Sequence, residues 1–416
     1  MKVAVIGGGA AGFFAAVCAK KNHPEADVCI LEKSQKFLAK VKISGGGRCN
    51  VTNGTTSISQ LAKAYPRGSK PLKKAFKVFN TKHTMEWFES RGVPLVTQDD
   101  NCVFPVSQDS QSIIDCLMKE ARQLGVAILL GHGVKAIKAQ SQADAQSVSH
   151  TQENKLVLEF IKKVATETAY DKVIIATGGS PKLSGLEWLR DLGHEIVTPV
   201  PSLFTFNMPT ENITQLMGIV VQNAWAKIQG TKLTSVGPLL ITHWGMSGPA
   251  ILKLSAFGAR LLEESGYNFK IQVNWVKVQN NNLVIEELRS LTQNHPLKLL
   301  TNYRPYALPE RLWHYLLTKA NFSPTKRWGE LGKSGINKIT TLLSNDVYQV
   351  HGKTTFKEEF VTAGGVSLES IDMTNMKSKV VPNLYFAGEV MDIDGITGGY
   401  NFQSAWTTGF IAGQLG

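Results

Sequence analysis

The chain has 416 residues, 43% of them hydrophobic and 19% charged, and carries a formal net charge of +12. This length predicts two or three domains, and the composition is ordinary for a soluble globular protein. The five cysteines show neither C-x-x-C nor C-x-C spacing. Their pattern argues against a zinc ribbon or a dithiol redox pair and favours a reducing, cytoplasmic setting.

The N-terminal region predicts a β-α-β unit. Residues 2–6 form an apolar run, residues 10–20 an alanine-rich helical pattern, and residues 28–31 a second apolar run that ends at Glu32. The uncharged stretch 3–19 is similar to a signal-peptide core or a membrane span, but glycines interrupt it and it is short for a bilayer. We therefore expect no membrane segment here.

A Gly7-x-Gly9-x-x-Gly12 motif joins the first predicted strand to the helix, and Glu32 lies twenty residues past its last glycine. In this context the motif predicts a dinucleotide site, with helix amides at the diphosphate and the carboxylate at the ribose hydroxyls. The carboxylate repels a 2′-phosphate, which favours FAD or NAD over NADP. The alternative is a glycine-rich turn without a ligand. The predicted contacts are Gly7, Gly9, Ala10, Ala11, Gly12 and Glu32.

Cations are concentrated in one segment, because residues 33–85 contain twelve Lys or Arg and no Asp or Glu. A dinucleotide has only two phosphates and does not account for all of them. One interpretation is a solvated face with a few phosphate ligands; the other is a surface for a polyanion such as RNA, with aromatic side chains between the cations. The aromatics are Phe37, Tyr65, Phe76 and Phe79, and the cations are Lys33, Lys36, Lys40, Lys42, Arg48, Lys63, Arg67, Lys70, Lys73, Lys74, Lys77 and Lys82.

The rest of the chain changes character twice. We predict a helix at 112–124, strands at 126–130, 155–161 and 172–176, a hairpin tip at the polar stretch 139–153, and a final helix at 405–415. Between them, β-like runs give way to helical patterns, and we find no internal repeat. The predicted organisation is a nucleotide-binding domain formed by 1–192 and 357–416, a β-rich insert at 193–283 plus about 346–356, and a helical insert at 284–345.

Glycine-rich segments later in the chain distinguish FAD from NAD. Residues 176–179 read ATGG after a predicted strand, and residues 384–389 read LYFAGE. A third segment, GITGGYN at 395–401, opens the final helix. Amides at a helix N-terminus suit the N1–C2 edge of a flavin, where negative charge develops on reduction. The set indicates FAD.

At these residues the sequence resembles the HI0933-like family of bacterial FAD-binding flavoproteins. The matching blocks are GGGAAG, KISGGGRCNVTN, VIIATGG, ITHWGMSGPAIL and the run from TAGGVSLES to GGYNFQSAWTTG, which together span the chain. The resemblance implies an α/β fold: a split Rossmann-like FAD-binding domain of glutathione-reductase type with inserted β-barrel-like and helical domains.

The resemblance also assigns cofactor contacts. It implies that the KISGGGRCNVTN segment lays bare backbone against the flavin and the diphosphate. Two departures concern loops: Asn101-Cys102-Val103 stands where a glycine-arginine pair is expected, and residues 180–191 are shorter than the usual loop. The implied FAD contacts are Gly7, Gly9, Gly12, Glu32 and Lys33 (ADP half), the Val134 backbone (adenine), Lys42, Ser44, Gly45, Gly46, Gly47, Arg48 and Asn50 (with Asn53 as a further donor), Thr177, Gly178, Gly388 and Glu389, and Gly398, Gly399, Tyr400, Asn401 and Phe402 (ring).

Members of this family resemble aminoacetone oxidase, a reductase of unsaturated bile-acid intermediates, and a ribosomal-RNA dihydrouridine synthase. The last two imply hydride transfer from reduced FAD to an activated C=C, with a protein acid supplying the proton. The favoured hypothesis is therefore reduction of uridine in ribosomal RNA, bound through the segment Lys33–Lys82. The alternatives are an oxidase or reductase of a small amino-ketone or enone, and a non-catalytic flavin- and RNA-binding factor. Without a second GxGxxG, NAD(P)H is expected to bind transiently at the flavin face.

Two residues are candidate catalytic groups, Cys49 and His243. We expect Arg48 and Lys42 to lower the pKa of the Cys49 thiol; the alternative is a small packing residue in a turn. His243 precedes a predicted helix with Ser247 as N-cap, and it serves either in proton transfer or as a structural histidine. Tyr400 is expected either to position substrate or to pack.

Overall fold

The computed structural model describes residues 1–139, 155–161, 168–355 and 361–416. The predicted hairpin tip lies outside these residues, apart from Ala139 at the end of a strand. The chain divides into two compact units, one formed by Met1–Ser202 and Lys357–Gly416 and the other by Leu203–Phe356. No helix in the described ranges is long and apolar enough to cross a bilayer.

The first unit contains the predicted Rossmann-like sheet. Its central strand, Lys2–Ile6, pairs in parallel with Asp27–Glu32 on one side and with Lys172–Ile175 on the other. Val3 to Val5 and Ile174 are fully buried, as expected for parallel strands covered on both faces. The β-α-β prediction is therefore confirmed. In order across the sheet, the strands are Ile371–Asp372, Lys377–Ser378, Leu384–Phe386, Lys172–Ile175, Lys2–Ile6, Asp27–Glu32 and Ala127–Leu130.

Two helices of this unit pack against each other through small residues. They are the N-terminal helix Ala10–Asn22 and the last helix Tyr400–Ala412. A Cβ built on Gly409 would lie 2.8 Å from the Ala11 carbonyl oxygen, so this close contact depends on glycine. The unit's other helices are Ala39–Ile43, Ile58–Lys63, Ser69–Ala75, Thr81–Glu89, Gln111–Gln123 and Glu187–Arg190, and its small sheets are Leu95–Thr97 with Cys102–Pro105 and Thr52–Asn53, Val134–Ala139 with Leu156–Phe160 and Thr168–Tyr170, and Ile196–Ser202 with Val361–Val366.

The second unit combines an antiparallel sheet with helices around one hydrophobic core. Buried residues of the strands, such as Val273, and of the helices, such as Leu312, belong to the same cluster. The unit begins after Ser202, later than the predicted boundary, because Ile196–Ser202 pairs with Val361–Val366 of the first unit. Its sheet runs Asp346–His351, Asn268–Asn274, Val220–Ile228, Thr234–Thr242, Gly245–Ser247, Thr205–Asn207 and Lys353–Thr354, and its helices are Pro249–Glu264, Asn281–Asn294, Glu310–Lys319 and Gly332–Ser344.

Candidate flavin site

The predicted cofactor segments converge at one edge of the parallel sheet. Gly7 follows the central strand, Glu32 ends its neighbour, and Thr177 and Gly388 come just after the next two strands. Because carboxyl ends of parallel strands share an edge, these segments surround one crevice. From the central strand the sheet extends to Asp27–Glu32 on one side and to Lys172–Ile175 on the other, so the strand order reverses at the central strand. In open parallel sheets, dinucleotides bind in the crevice at such a reversal.

The first glycine turn has the close contacts that the motif requires. Gly7 has φ +114°, and a Cβ added there would lie 2.3 Å from the Ala176 carbonyl oxygen. A Cβ on Gly12 would lie 1.9 Å from the Gly7 oxygen, whereas a Cβ on Gly9 would meet nothing within 4 Å. Gly9 is the helix N-cap and no side chain caps the first amides. Open backbone and uncapped N–H groups together fit a diphosphate.

Glu32 is held in a fixed orientation at the end of its strand. One carboxylate oxygen, Oε2, accepts a hydrogen bond from Gly8 N at 2.8 Å, and Oε1 accepts one from Ser34 N at 2.8 Å. Each oxygen retains a lone pair for a ribose hydroxyl. Lys33 beside it is exposed, and Val134 begins the strand that pairs with Leu156–Phe160. Their predicted contacts with the ADP half stay predictions.

The three glycines of the SGGG turn, residues 44–47, take a backbone that other residues avoid. Gly45, Gly46 and Gly47 have φ of +58°, +70° and +87°. A Cβ on Gly46 or Gly47 would meet nothing within 4 Å, so this backbone presents an open surface. Ser44 accepts a hydrogen bond from Cys49 N at 2.9 Å and closes the turn. The open glycine surface fits the close approach of a flat ring.

Arg48 holds the turn from within the protein. Its Nε donates to the Gly45 carbonyl oxygen at 3.1 Å, and its Nη1 donates to Gln108 Oε1 at 3.3 Å. The guanidinium carbon lies 4.1 Å from the centroid of the Phe104 ring. These contacts give Arg48 a structural role, and its contact with the cofactor stays a prediction.

The prediction that neighbouring cations lower the pKa of Cys49 is wrong. The side chain is fully buried, and burial raises the pKa of the thiol to about 12. Arg48 is bound to Gly45, and Lys42 Nζ lies 3.1 Å from Gln111 Oε1 and 3.6 Å from Asp109. Desolvation therefore dominates, and the geometry favours the packing interpretation of Cys49.

Cys49 is expected to resist alkylation in the folded protein. With a pKa of about 12, about one thiol in ten thousand is ionised at pH 8, and burial blocks the reagent. Mass analysis after iodoacetamide treatment should find Cys49 unmodified, while the unfolded chain reacts at all five cysteines. Rapid modification of native Cys49 would contradict this assignment. A tenfold rise in rate per pH unit should accompany any residual reaction.

The glycine segment that opens the last helix contacts the KISGGGRCNVTN segment directly. Gly399 has φ +85°, and a Cβ there would lie 2.2 Å from the Thr52 carbonyl oxygen and 2.9 Å from Asn50 Oδ1. Asn53 Nδ2 donates to the Gly398 oxygen at 2.9 Å, which engages one of its two amide hydrogens, and its predicted contact with the cofactor stays a prediction. Asn50 Oδ1 is buried and has no hydrogen-bond partner in the described chain. An unsatisfied polar atom at this point fits a ligand edge.

The last helix starts with free amides, as the flavin prediction requires. Gly399 is its N-cap, and no side chain caps it. The Asn401 side chain instead closes the preceding loop, accepting from Gly395 N at 2.8 Å and donating to Gly395 O at 2.9 Å. Tyr400 is half-buried and accepts at its backbone oxygen a hydrogen bond from Tyr65 OH at 2.7 Å. Phe402 stacks on Trp406, with centroids 5.7 Å apart.

A second cluster surrounds Glu389 and includes Thr362, which was not predicted as a site residue. Glu389 Oε1 accepts from Thr362 N at 2.9 Å, and Oε2 lies 2.8 Å from Lys40 Nζ. A Cβ on Gly179 would lie 2.4 Å from Thr362 Oγ1, a buried hydroxyl without a partner among the described residues. Thr362 is the first residue of the TAGGVSLES block, but no cofactor contact was predicted for it, and its position beside Gly179 is seen only in the fold. Gly178, at φ +75°, has open space around it.

A buried polar network also ties the two glycine segments together. Gln403 Oε1 accepts from the hydroxyls of Thr52 and Thr84, and Trp406 Nε1 donates to the Val51 carbonyl oxygen at 2.9 Å. Gln403 and Thr52 are fully buried. Gln403 lies in the GGYNFQ block, but this network could not be predicted locally, because Thr52 and Thr84 are 351 and 319 positions away from it in the sequence.

His243 belongs to the second unit, in the turn between Thr234–Thr242 and Gly245–Ser247. Its ring is exposed and lies edge-to-face against Trp244, with centroids 4.4 Å apart. The expected N-cap at Ser247 is wrong, because Gly248, with φ +89°, caps the helix and Pro249 is its first residue. Catalysis by His243 stays a prediction.

Bare backbone and uncapped helix amides are thus found at the start of Ala10–Asn22, where the FAD diphosphate is expected, and at the start of Tyr400–Ala412, where the flavin ring is expected. Both groups carry or develop negative charge, so the residues present fit this cofactor. The fold and site define a flavin-dependent oxidoreductase with a Rossmann-type FAD-binding domain. A family model described as HI0933-like protein Rossmann domain matches residues 1–415. The chain belongs to this HI0933-like family.

Relatives of known name cover almost the whole chain. A 3-dehydro-bile acid delta(4,6)-reductase of Clostridium scindens is 25% identical over 99% of this chain and 98% of its own length. A ribosomal RNA dihydrouridine synthase of Escherichia coli (strain K12) is 27% identical over 99% of this chain and 96% of its own. Among solved structures, 3-ketosteroid delta1-dehydrogenase from Sterolibacterium denitrificans aligns with a TM-score of 0.51 at 10% identity, over 99% of this chain and 98% of that chain, which shows the shared fold.

Proposed function

We propose that this oxidoreductase reduces an activated C=C bond, and that the bond belongs to a uridine of ribosomal RNA, which becomes dihydrouridine. Two similar proteins support the reaction type, because a delta(4,6)-reductase and a dihydrouridine synthase both saturate carbon–carbon double bonds. Reduced FAD, when bound, supplies a hydride to one carbon of the bond. The chain must then orient the base, exclude water and deliver one proton to the other carbon.

The site offers groups for each of these tasks. The uncapped amides at the start of the last helix stabilise negative charge at the edge of a bound ring. For the proton we favour Tyr400, which is half-buried next to Gly399 and whose pKa is raised by burial, so its hydroxyl stays protonated at neutral pH. Cys49 is also protonated but fully enclosed.

The observation that carries the RNA substrate is the exposure of the acid-free segment. Ten of its twelve cations are exposed; the exceptions, Arg48 and Arg67, are half-buried. A small enone, even one with a carboxylate, can neutralise only one or two of these cations, whereas an RNA backbone can neutralise many. A small enone remains the second candidate, because the Clostridium scindens relative covers 99% of this chain.

Single-turnover chemistry tests the proposal. FAD-loaded protein, reduced without oxygen, should be reoxidised by an unmodified ribosomal RNA transcript, and mass mapping should place one added H₂ on a uridine. NADH and NADPH are compared as electron donors in the same assay. Tyr400→Phe should retain FAD but reoxidise about a hundredfold more slowly, since it lacks the proton donor.

Deletion of the gene provides the cellular counterpart and should remove one dihydrouridine from ribosomal RNA. The proposal is wrong if the deletion leaves the dihydrouridine profile of ribosomal RNA unchanged and the reduced protein is not reoxidised by RNA. Rapid reoxidation by an enone but not by RNA would support the small-molecule alternative instead. A protein that binds FAD and RNA but is reoxidised by neither would be the non-catalytic factor.

A further inference from the structure

We propose that the RNA lies across one lysine face of the first unit and is held there by its phosphates alone. We define the lysine face as Lys63, Lys70, Lys73, Lys74 and Lys77. This inference rests on the proposed function for the identity of the polyanion. It narrows a segment of twelve cations to five and predicts how they bind.

The lysine face is built by an amphipathic helix. Lys70, Lys73, Lys74 and Lys77 recur at helical spacing along Ser69–Ala75 and the turn after it, and all four are exposed. The opposite side of the same segment is buried, with side chains of Leu72, Ala75, Phe76 and Phe79 in the core. Lys63 ends the neighbouring helix Ile58–Lys63, which packs against this one.

None of these five lysines has a counter-charge among the described residues, whereas three other exposed cations of the segment do; Lys33 and Lys36 are also unpaired, but they lie outside these two helices. Lys40 pairs with Glu389, Lys42 with Asp109 and Lys82 with Glu86. Within the described ranges, no carboxylate pairs with any lysine of the lysine face. Like charges at spacings of three and four slightly destabilise a helix, so anions that neutralise these lysines would stabilise the arrangement.

The lysine face is joined to the segment that opens the last helix, residues 394–400, which we call the flavin loop. The connection between its two helices supplies three contacts. Ala64 O accepts from Ile396 N at 2.9 Å, Tyr65 OH donates to Tyr400 O at 2.7 Å, and Arg67 forms an ion pair with Asp394. The two helices that carry the lysine face are therefore anchored to the flavin loop through the connection between them.

The aromatic residues of the segment do not take part, contrary to the interleaved surface expected from sequence. Tyr65, Phe76 and Phe79 are 2%, 0% and 5% exposed, and Phe37 is half-buried against the core. The buried rings of Tyr65, Phe76 and Phe79 are not available for base stacking, so we expect the lysine face to bind through charge and not to recognise base sequence. Binding here should be strongly salt-dependent and tolerant of base changes.

The test compares two sets of four substitutions in the FAD-loaded full chain. One set is Lys70→Gln, Lys73→Gln, Lys74→Gln and Lys77→Gln. The matched control, with the same charge change, alters exposed lysines that have no ion pair among the described residues: Lys182→Gln, Lys232→Gln, Lys298→Gln and Lys333→Gln. Affinity for an unmodified ribosomal RNA transcript is measured across a salt series with oxidised protein, so the result does not depend on turnover.

The face variant should bind the transcript about tenfold more weakly or worse, and its slope of log affinity against log salt should fall by about three to four. The control set should leave both quantities close to those of the native protein. A variant with arginine at the same four positions should retain binding, which separates charge from helix stability. Equal losses in both sets would overturn the lysine face. A loss of RNA affinity confined to the face variant supports the lysine face even when no dihydrouridine is formed. In that case only the proposed reaction fails.

Discussion

Replacing Gly399 with alanine should weaken FAD binding by about a hundredfold or more, the equivalent of about 2.7 kcal/mol. The added Cβ would lie 2.2 Å from the Thr52 carbonyl oxygen, which is backbone and cannot rotate away. At φ +85° the residue would also be strained by about 1–3 kcal/mol. Relief requires the last helix to separate from Thr52, and that contact shapes the predicted ring site. Flavin fluorescence titration of the refolded apoprotein measures the change.

Gly92→Ala is the matched control for this prediction. Gly92 has φ +82°, close to that of Gly399, but a Cβ there would meet nothing within 4 Å. The control should therefore show only the backbone strain, about 1–2 kcal/mol in urea unfolding, with FAD affinity unchanged. Equal FAD affinity in both variants would mean that the contact of Gly399 with Thr52 does not shape the cofactor site.

The sequence predicted those parts of the fold whose cause is local. The β-α-β unit follows from alternating apolar runs and a glycine turn, and Gly7 and Gly12 are required by contacts within that turn or the adjacent strand. The flavin loop was found for the same reason, since Gly398 and Gly399 both have positive φ. Glycines that the local backbone conformation requires can therefore be identified from the sequence.

The features that escaped sequence reasoning depend on burial and on distant partners. Cys49 looked activated because cations precede it, yet desolvation raises its pKa, and desolvation is a property of the packed core. Thr362 and Gln403 lie in the TAGGVSLES and GGYNFQ blocks, but their partners come from other segments, so the sequence did not indicate what they contact. The basic segment looked like an aromatic-rich RNA surface until the rings of Tyr65, Phe76 and Phe79 proved to be core residues.

The ion pair between Arg67 and Asp394 should be the most sensitive point of the flavin loop. Asp394 is fully buried, accepts two hydrogen bonds from the Arg67 guanidinium, and accepts a third from Ser202 Oγ at 2.7 Å. Arg67→Met should lower the free energy of unfolding by about 3–5 kcal/mol at pH 7, because it leaves a buried carboxylate without its partner. Urea denaturation of the native protein and the variant measures the loss, and FAD content should fall with it.

The pH dependence identifies the cause. Burial raises the pKa of Asp394, while Arg67 and Ser202 act in the opposite direction, so removing Arg67 raises this pKa further. The variant then gains a proton on folding. The free energy of unfolding that it loses relative to the native protein is therefore smallest below the pKa of an unfolded aspartate and increases as the pH rises.

Two further variants separate the buried charge from other effects. Adding Asp394→Asn to Arg67→Met removes that charge and should recover most of the stability and flatten the pH profile. Lys82→Met, which breaks the exposed Lys82–Glu86 pair, should cost no more than about 0.5 kcal/mol at any pH. A deficit of the Arg67 variant that is the same at pH 4 and pH 8 would show that lost packing, rather than an unpaired charge, is responsible. Asp394 opens the flavin loop, so a charge-dependent loss of FAD would also show that this ion pair holds the loop against the lysine-bearing helices.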